Sequence, residues 1–228
     1  MSAADYDAWY DTPRGRWIGE TEFNLICRLL DPQPGEHLLD VGCGTGWFTR
    51  QMAELPGLEV TGIDLNGEWL RYARERDRRS TYLAADACTL PFPDRHFDRV
   101  FSVTALCFIT NWPLALREIV RVTHTRFAIG LLNRTSLLWR AKGQGGGQGA
   151  YQGAYWHIAQ ELRCALAGLP VRNLRIRTAI FVPSRSWITV VADRVLPNML
   201  PWGGFLLVTG DRTLPTVGPN RLKSAIIA

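Results

Sequence analysis

The chain has 228 residues, of which 46% are hydrophobic and 21% are charged, and its formal net charge is +5. This composition excludes a disordered chain and fits one globular domain. No apolar run is long enough for a transmembrane helix, and the first residues are acidic and aromatic rather than basic and then apolar. We therefore expect a cytoplasmic protein without a membrane span.

The pattern of basic residues and of cysteines does not indicate a nucleic-acid partner or a metal site. Much of the positive charge lies in one cluster, which consists of Arg71, Arg74, Arg76, Arg78 and Arg79. Acidic residues interrupt this cluster and no aromatic residues alternate with it, so a solvated helix face is expected and a nucleic-acid partner is unlikely on this pattern. The five cysteines are widely spaced without a Cys-x-x-Cys pair, which favours reduced thiols and no metal site.

Taken in chain order, the apolar periodicity predicts alternating helices and strands. A first helix over 17–30 ends before Pro32 and Pro34. There follow, in order, strand 37–42, helix 47–55, strand 59–64, helix 67–76, strands 81–85 and 97–103, helix 112–122, strand 126–132, helix 155–166 and strands 174–182 and 205–209. This alternation predicts an α/β fold in which helices flank a parallel sheet, with the ligand at the carboxyl ends of the strands.

The chain is predicted to form one domain over 1–228. Its parts would be an N-terminal cap over 1–34, a cofactor-binding core over 35–133, acceptor-side elements over 134–212 and a tail over 213–228. The stretch 143–149 (GQGGGQG) is rich in glycine, which predicts a mobile loop or hinge between the core and the acceptor-side elements.

A glycine-rich turn, DVGCGTG over 40–46, follows the first predicted strand. Gly42, Gly44 and Gly46 allow the backbone to approach a ligand closely. Trp47 stands where a dinucleotide fingerprint has its third glycine, which argues against a bound pyrophosphate. The carboxylate of Asp40 suits a cationic ligand, such as S-adenosylmethionine with its sulfonium and ammonium groups.

Two further acids follow the next two strands. Asp64, about twenty residues after the turn, can accept hydrogen bonds from both ribose hydroxyls, although NAD-binding folds share this feature. Asp86 can accept a hydrogen bond from the exocyclic amine of adenine, or it can cap a turn. Leu65 and Cys88 can flank the adenine ring, or they can be packing residues.

These pieces together resemble the class I S-adenosylmethionine-dependent methyltransferases, in particular the subgroup similar to ubiquinone and menaquinone biosynthesis methyltransferases. The resemblance covers about residues 35–133 and rests on LLDVGCGTGWFT, VTGIDLN, AADACTLPFPDRHFDRVFSV and LREIVRVTHTRFAIGLL. It implies a Rossmann-like, seven-stranded, mostly parallel sheet whose last strand is antiparallel. It also implies S-adenosylmethionine as the cofactor.

The resemblance also assigns residues to that cofactor. It implies that the methionine part lies near Gly42, Cys43 and Gly44, that Asp64 holds the ribose, and that the adenine lies by Asp86 and Ala87. Thr104, at the end of the fourth strand, would lie beside the methionine tail and the acceptor. Tyr10 or Trp9 is a possible lid over the cofactor, the alternative being that these rings anchor the first helix to the sheet.

The acceptor is left open by the sequence. His157 is the candidate general base because it falls in the predicted helix 155–166, whereas His37, His96 and His124 are expected to be structural or exposed. Six aromatic residues of the second half are candidates for an apolar acceptor pocket or for core packing. They are Trp139, Tyr151, Tyr155, Trp156, Trp187 and Trp202.

Several functions therefore compete. Methyl transfer to a small apolar or aromatic acceptor is favoured, and the absence of an Asn-Pro-Pro-Tyr type motif after the fourth strand disfavours amino methylation of a base or of glutamine. RNA or protein methylation, a nicotinamide-dependent oxidoreductase and a non-catalytic cofactor-binding protein are the alternatives. Nothing in the sequence decides the oligomeric state.

Overall fold

Seven β-strands form one sheet in the computed structural model, which describes residues 2–182 and 198–213. The strands are β1 (His37–Val41), β2 (Glu59–Asp64), β3 (Thr81–Ala84), β4 (Phe97–Val103), β5 (Thr123–Leu132), β6 (Val171–Ala179) and β7 (Phe205–Arg212). Their order is β3-β2-β1-β4-β5-β7-β6. Strands β1 to β5 pair in parallel, whereas β7 is antiparallel to both β5 and β6. The predicted fold class is confirmed.

Helices cover both faces of this sheet. They are α1 (Ala3–Ala8), α2 (Pro13–Leu30), α3 (Trp47–Ala53), α4 (Gly67–Arg76), α5 (Trp112–Val122), α6 (Leu137–Lys142) and α7 (Ala159–Leu166). Helices α4 and α5 and strand β4 have the predicted bounds. None of the helices in the described part of the chain combines the length and the apolar character needed to cross a membrane.

Helix α2 begins four residues before its predicted start. The hydroxyl of Thr12 accepts a hydrogen bond of 3.0 Å from the backbone N–H of Gly15, and Pro13 occupies the first helical position. A threonine cap followed by proline is a strong helix start, because it satisfies an otherwise free N–H and presets φ. The helix buries one face against β1, β4, β5 and β7.

Helix α7 is shorter than predicted, and this corrects the position of His157. The predicted helix 155–166 begins only at Ala159, and His157 lies in extended backbone that pairs with Asn133. The N–H of His157 donates to the carbonyl of Leu132 at 2.9 Å, and the N–H of Tyr155 donates to that of Cys107 at 2.7 Å. These bonds to β5 and to the turn after β4 pair the N–H groups of Tyr155 and His157 with the rest of the fold, and the helix therefore begins only after them.

Strand β1 is the point at which the sheet reverses its strand order. The chain first adds β2 and β3 on one side of β1 and then returns to place β4 on the other side. In such sheets the loops after the two central strands leave a crevice at their carboxyl ends, where ligands bind. Apolar side chains fill both faces of the sheet beneath this crevice.

Two other predicted segments have mixed outcomes. The glycine-rich stretch 143–149 forms the short 3-10 turn Gln144–Gly146 and then enters a second one, Gly149–Tyr151. Its predicted mobility stays a prediction. The predicted tail 213–228 lies outside the described residues except for Thr213, and Trp187 lies outside them as well.

Candidate active site

A cavity of about 500 Å³ lies at the carboxyl ends of the central strands. The turn after β1, the ends of β2 and β4 and the N-terminal helix form its walls. The predicted cofactor residues that line it are Tyr10, Asp40, Gly42, Cys43, Gly44, Asp64, Leu65, Ala87 and Thr104. Three other predicted residues, Gly46, Asp86 and Cys88, do not line it. The fold thus brings most of the predicted site together.

The glycine turn needs glycine for steric reasons. Gly42 has a φ of 76°, and a Cβ built on it would lie 2.2 Å from the Cβ of Ala105. Gly46 has a φ of 80°, immediately before α3 begins, and a Cβ there would lie 2.8 Å from the hydroxyl of Tyr82. Side chains at these positions would push the turn away from β4 and β3. Gly46 therefore shapes the turn from behind the cavity.

Asp40 is a buried acid in the cavity wall, with only 1% of its surface exposed. Its carboxylate accepts a hydrogen bond of 2.7 Å from the hydroxyl of Thr49, and it forms no ion pair within the described residues. Burial raises the pKa of Asp40 to about 7, against the opposing effect of Thr49, and nearby Asp64 raises it further. A bound cation would relieve this burial cost.

Asp64 holds the turn in shape from the end of β2. One carboxylate oxygen accepts the N–H of Gly44 at 2.8 Å, and the other accepts the N–H of Asn66 at 2.8 Å. A carboxylate has about four lone-pair positions, so each oxygen retains capacity for a further donor. Asp64 lies in the cavity wall, where a hydroxyl pair of a ligand can reach it.

Asp86 is exposed and caps the turn after β3. Its carboxylate accepts the N–H of Cys88 at 2.8 Å, which is the turn-capping role that its sequence position also allowed. Its neighbours Ala85 and Ala87 line the cavity. Leu65, which also lines this cavity, is 71% exposed, as expected for an apolar side chain that a ligand would cover. Adenine contact by Asp86 stays a prediction.

The N-terminal segment contributes two aromatic rings to the cavity wall. Tyr6 and Tyr10 both line it, and the ring of Tyr10 stacks on Trp47 with 4.5 Å between the ring centroids. Tyr6 packs against Trp69 at 4.7 Å. Trp9 does not line this cavity and is 37% exposed.

Asp7 fastens this segment to the glycine turn. Its carboxylate accepts a hydrogen bond of 2.8 Å from the hydroxyl of Thr45 and two from the guanidinium of Arg50, at 2.8 and 3.0 Å. Arg50 also donates to the carbonyl of Thr45 at 2.7 Å. The side chain of Asp7 is buried, so this contact is shielded from water.

A second cavity, of about 250 Å³, adjoins the first. The residues that line both cavities are Tyr6, Tyr10, Thr104, Phe108 and Ala150. Ala150 belongs to the turn that follows the glycine-rich stretch, so this part of the chain returns to the site. Thr104 stands at the junction with a φ of 57°, a backbone conformation that is uncommon for threonine and concentrates at functional sites.

The second cavity contains a charged residue that the sequence reading missed. Glu22 lies in its wall, on the buried face of α2, and is 9% exposed. The available signal was its spacing, because Glu22 lies four residues after Ile18 and four before Ile26, which belong to the apolar stripe. A glutamate within such a stripe is a conflict with the helical pattern and hence a candidate site residue.

The predicted base His157 lies outside both cavities. Its ring packs edge-on against Trp112 with 4.9 Å between centroids, and only 2% of the residue is exposed. Burial lowers its pKa to about 4, so the ring is neutral at physiological pH. His157 thus has the features of a packing residue.

The other histidines lie in surface or packing positions, and one of the described aromatic candidates lines a cavity. His37 pairs with Glu59 at the surface, His96 stacks on Phe92, and His124 is exposed near Asp98. Of the aromatic candidates in the described part of the chain, Tyr151 lines the second cavity, whereas Trp139, Tyr155, Trp156 and Trp202 line neither cavity.

Comparison with known proteins identifies the domain. Residues 39–126 match the family model described as a methyltransferase domain. A malonyl-[acyl-carrier protein] O-methyltransferase of Erwinia pyrifoliae is 39% identical over 127 residues, which cover 51% of this chain and 48% of that protein. The chain contains a class I S-adenosylmethionine-dependent methyltransferase domain. It spans about half the length of the first curated relatives that it matches.

Two further similarities extend beyond the matched core of the methyltransferase domain. An uncharacterised protein of Mycobacterium tuberculosis is 34% identical over 191 residues, covering 79% of this chain and 62% of that protein. The crystal structure of a possible histamine N-methyltransferase from Thermotoga maritima superposes with a TM-score of 0.74 at 21% identity, over 92% of this chain and 96% of that one. At that identity the structural likeness concerns the fold alone.

The first cavity of the methyltransferase domain fits the family's cofactor. Asp40 offers a buried acid without a described cationic partner, and Asp64 offers free acceptor positions at the same wall. Gly42 and Gly44 have no side chains, so a ligand can approach the backbone of the turn closely. A ligand with positive charge and a ribose therefore meets complementary groups along this cavity.

Proposed function

We propose that this protein transfers the methyl group of S-adenosylmethionine to a small acceptor molecule with apolar or aromatic surface. The observation that carries the proposal is the pair of adjoining cavities, which share Tyr10 and Thr104 as walls. Methyl transfer needs two molecules in line across such a junction. Two adjoining cavities can hold the cofactor and the acceptor next to each other, which a transfer between two substrates requires.

The residues of the first cavity have distinct roles in this proposal. Asp40 and the turn at Gly42 would hold the positively charged methionine part, and Asp64 would accept hydrogen bonds from the ribose. Leu65 and Ala87 would flank the adenine. When bound, S-adenosylmethionine supplies an electrophilic methyl group on a good leaving group, so positioning contributes most of the catalysis.

The second cavity would hold the acceptor. Its walls are largely apolar and aromatic and include Ile18, Leu138, Phe205, Tyr10 and Tyr151. Such walls suit an apolar or aromatic molecule and exclude water from the transfer. The size of about 250 Å³ favours a small acceptor over a nucleotide within a polymer.

Calorimetric titration tests the cofactor half of this proposal. We expect the purified protein to bind S-adenosylmethionine and S-adenosylhomocysteine with micromolar affinity and not to bind NADH. A transfer assay with labelled S-adenosylmethionine and a panel of small aromatic compounds, with bulk RNA and protein as separate samples, tests the acceptor half. Binding of NADH alone would overturn the proposal, and label that enters only RNA or protein would replace its acceptor class.

A further inference from the structure

The second cavity contains one buried acid that the proposed cofactor site does not use. The carboxylate of Glu22 lies in the wall of this cavity and is more than nine-tenths buried. No described residue donates a hydrogen bond to it, and no described cation lies within ion-pair distance. Burial alone raises the pKa of Glu22 to about 8. A buried acid without a partner destabilises the fold, so its presence calls for a ligand.

The surroundings of Glu22 have the features of a cation site. Tyr6, Tyr10 and Tyr151 line the same cavity, and all three lie near enough to Glu22 that its negative charge adds to burial in raising the pKa of their hydroxyls. Aromatic faces attract a positive group, and they do so more strongly where water is excluded. The charged side chains that also line the cavity, Asp5 and Arg14, are exposed.

We propose that Glu22 binds the acceptor and that the acceptor is an amine on an apolar or aromatic frame, methylated at nitrogen. This inference rests on the proposed function, because it assigns the substrate class of the same site. The ammonium group of such an acceptor would supply the partner that Glu22 lacks, while its frame would contact the aromatic walls. Phe108 and Thr104 would border the path from there to the cofactor cavity.

Charge distinguishes an amine from the other acceptors of similar size. An acid would offer Glu22 no positive charge to pair with, and it would repel Glu22 whenever that carboxylate is ionised. An alcohol would supply a hydrogen bond to Glu22 without a compensating charge, and bonds to charged groups are the stronger ones. The relative from Erwinia pyrifoliae is named for a malonyl substrate methylated at oxygen, so this chain would differ from it in acceptor.

In the proposed reaction Glu22 accepts a proton from the acceptor before the methyl group is transferred. The ammonium group gives one proton to the carboxylate, and the nitrogen lone pair then attacks the methyl carbon. The carbon–sulfur bond breaks, and its electron pair stays on sulfur to give S-adenosylhomocysteine. The product is the protonated methylamine, and the proton on Glu22 passes to solvent, so one proton is released in each turnover.

Three probes of one frame test the inference: phenethylamine, phenethyl alcohol and phenylacetate. Each is titrated calorimetrically into the full protein saturated with S-adenosylhomocysteine. We expect the amine to bind at least about tenfold more tightly than the alcohol, and the acid not to bind. In Glu22→Gln, the amine should lose at least about tenfold in affinity while S-adenosylhomocysteine binds as before. Glu20→Gln, an exposed change on the same helix, is the matched control.

The wild-type comparison needs no variant, so a folding defect in Glu22→Gln would not end the test. Equal affinity for amine and alcohol, or no binding by this or any of a panel of other arylalkylamines, would overturn the amine assignment. An unchanged affinity of the Glu22→Gln variant for the amine would mean that Glu22 does not bind the amine. Failure to bind S-adenosylhomocysteine at all would instead contradict the proposed function, and the two failures are thereby distinguished.

Discussion

Asp64 combines a structural and a ligand-binding role in one side chain. Its two oxygens hold the N–H groups of Gly44 and Asn66, so the acid shapes the turn that it also faces. A ligand hydroxyl would add to these bonds rather than replace them, because carboxylate oxygens accept more than one donor. The shape of the turn and the affinity for a nucleoside are therefore coupled at this residue.

Replacement of Asp64 should weaken cofactor binding. We expect Asp64→Ala to cost about 1–3 kcal/mol in the binding free energy of S-adenosylmethionine, since hydrogen bonds to a charged group are lost. Titration calorimetry on the variant measures this cost, and Glu68→Ala, an exposed acid in the first turn of α4, serves as control. An unchanged dissociation constant in a folded Asp64→Ala protein would remove the ribose assignment.

The buried acid Asp40 should make cofactor affinity depend on pH. Its pKa is raised to about 7 by burial, so at lower pH the group is protonated and must lose a proton before it can pair with a cation. Affinity for S-adenosylmethionine should therefore fall as pH decreases below about 7, approaching tenfold per pH unit, and level off above it. Cys43 and Asp64 are the neighbouring titratable groups.

Proton release provides a second measurement for Asp40. Calorimetry at neutral pH in buffers with different ionisation enthalpies should detect release of a fraction of a proton on binding. Asp40→Asn should abolish this release and flatten the pH profile while keeping the hydrogen-bond partner of Thr49. A wild-type profile that is flat between about pH 6 and pH 8 would contradict the role of Asp40 as the cation partner.

Among the elements, the N-terminal segment contributes aromatic rings to the walls of both cavities. Helix α1 and the turn Trp9–Asp11 contribute Tyr6 and Tyr10, which line the two cavities together. The segment is short, and a six-residue helix has little stability of its own. Its position therefore depends on contacts with the rest of the fold, chiefly the buried bonds of Asp7.

Asp7→Asn should loosen this segment. The amide keeps one acceptor but loses the ion pair with Arg50, so we expect the dissociation rate of S-adenosylhomocysteine to rise by about tenfold or more. Stopped-flow measurement gives the rate, and limited proteolysis should cleave the first twenty residues faster than in wild type. Asp11→Asn, an exposed acid of the same segment, is the control. Unchanged rates in both assays would mean that Asp7 does not hold the segment closed.

At the scale of the whole molecule, local sequence signals predicted the sheet and most of the first cavity. Strand β4 and helices α4 and α5 were predicted to the residue because their apolar periodicity and turn residues agree. The glycine turn and its acids were predicted because their roles depend on positions along consecutive strand ends. The second cavity was predicted only in part, because it joins Thr104 and Tyr151, which the sequence offered as candidates, to residues of α2 that lie far from them in the chain.

The misplacement of His157 has the same physical origin. Its helix was predicted from local pattern, but the N–H of His157 bonds to Leu132 of β5 and that of Tyr155 bonds to Cys107 after β4, so the helix begins only at Ala159. Tertiary pairing of this kind outweighs a weak helical preference. Glu22 did have a local signal, a glutamate within the apolar stripe of α2, but its place in a cavity wall depends on tertiary contacts that the local pattern does not show.

The two buried acids should make the stability of the ligand-free protein fall as pH rises. Burial raises the pKa of Asp40 to about 7 and that of Glu22 to about 8, whereas both groups titrate near ~4 in an unfolded chain. Between about pH 6.5 and pH 8 the folded protein therefore holds protons that the unfolded chain has released, so the free energy of unfolding should decrease by about 2 kcal/mol. His157, whose pKa burial lowers to about 4, has the opposite slope, but mostly below this window.

Urea unfolding at several pH values measures this slope. The double variant Asp40→Asn/Glu22→Gln should lose most of it, since neither replacement titrates, and it should be more stable than wild type at pH 8. Glu20→Gln, which removes an exposed acid two residues before Glu22, should keep the wild-type slope. If the wild-type protein is equally stable across the window, or if the double variant retains the slope, the two acids are not held protonated by burial, and the cation partners inferred for both cavities lose their physical basis.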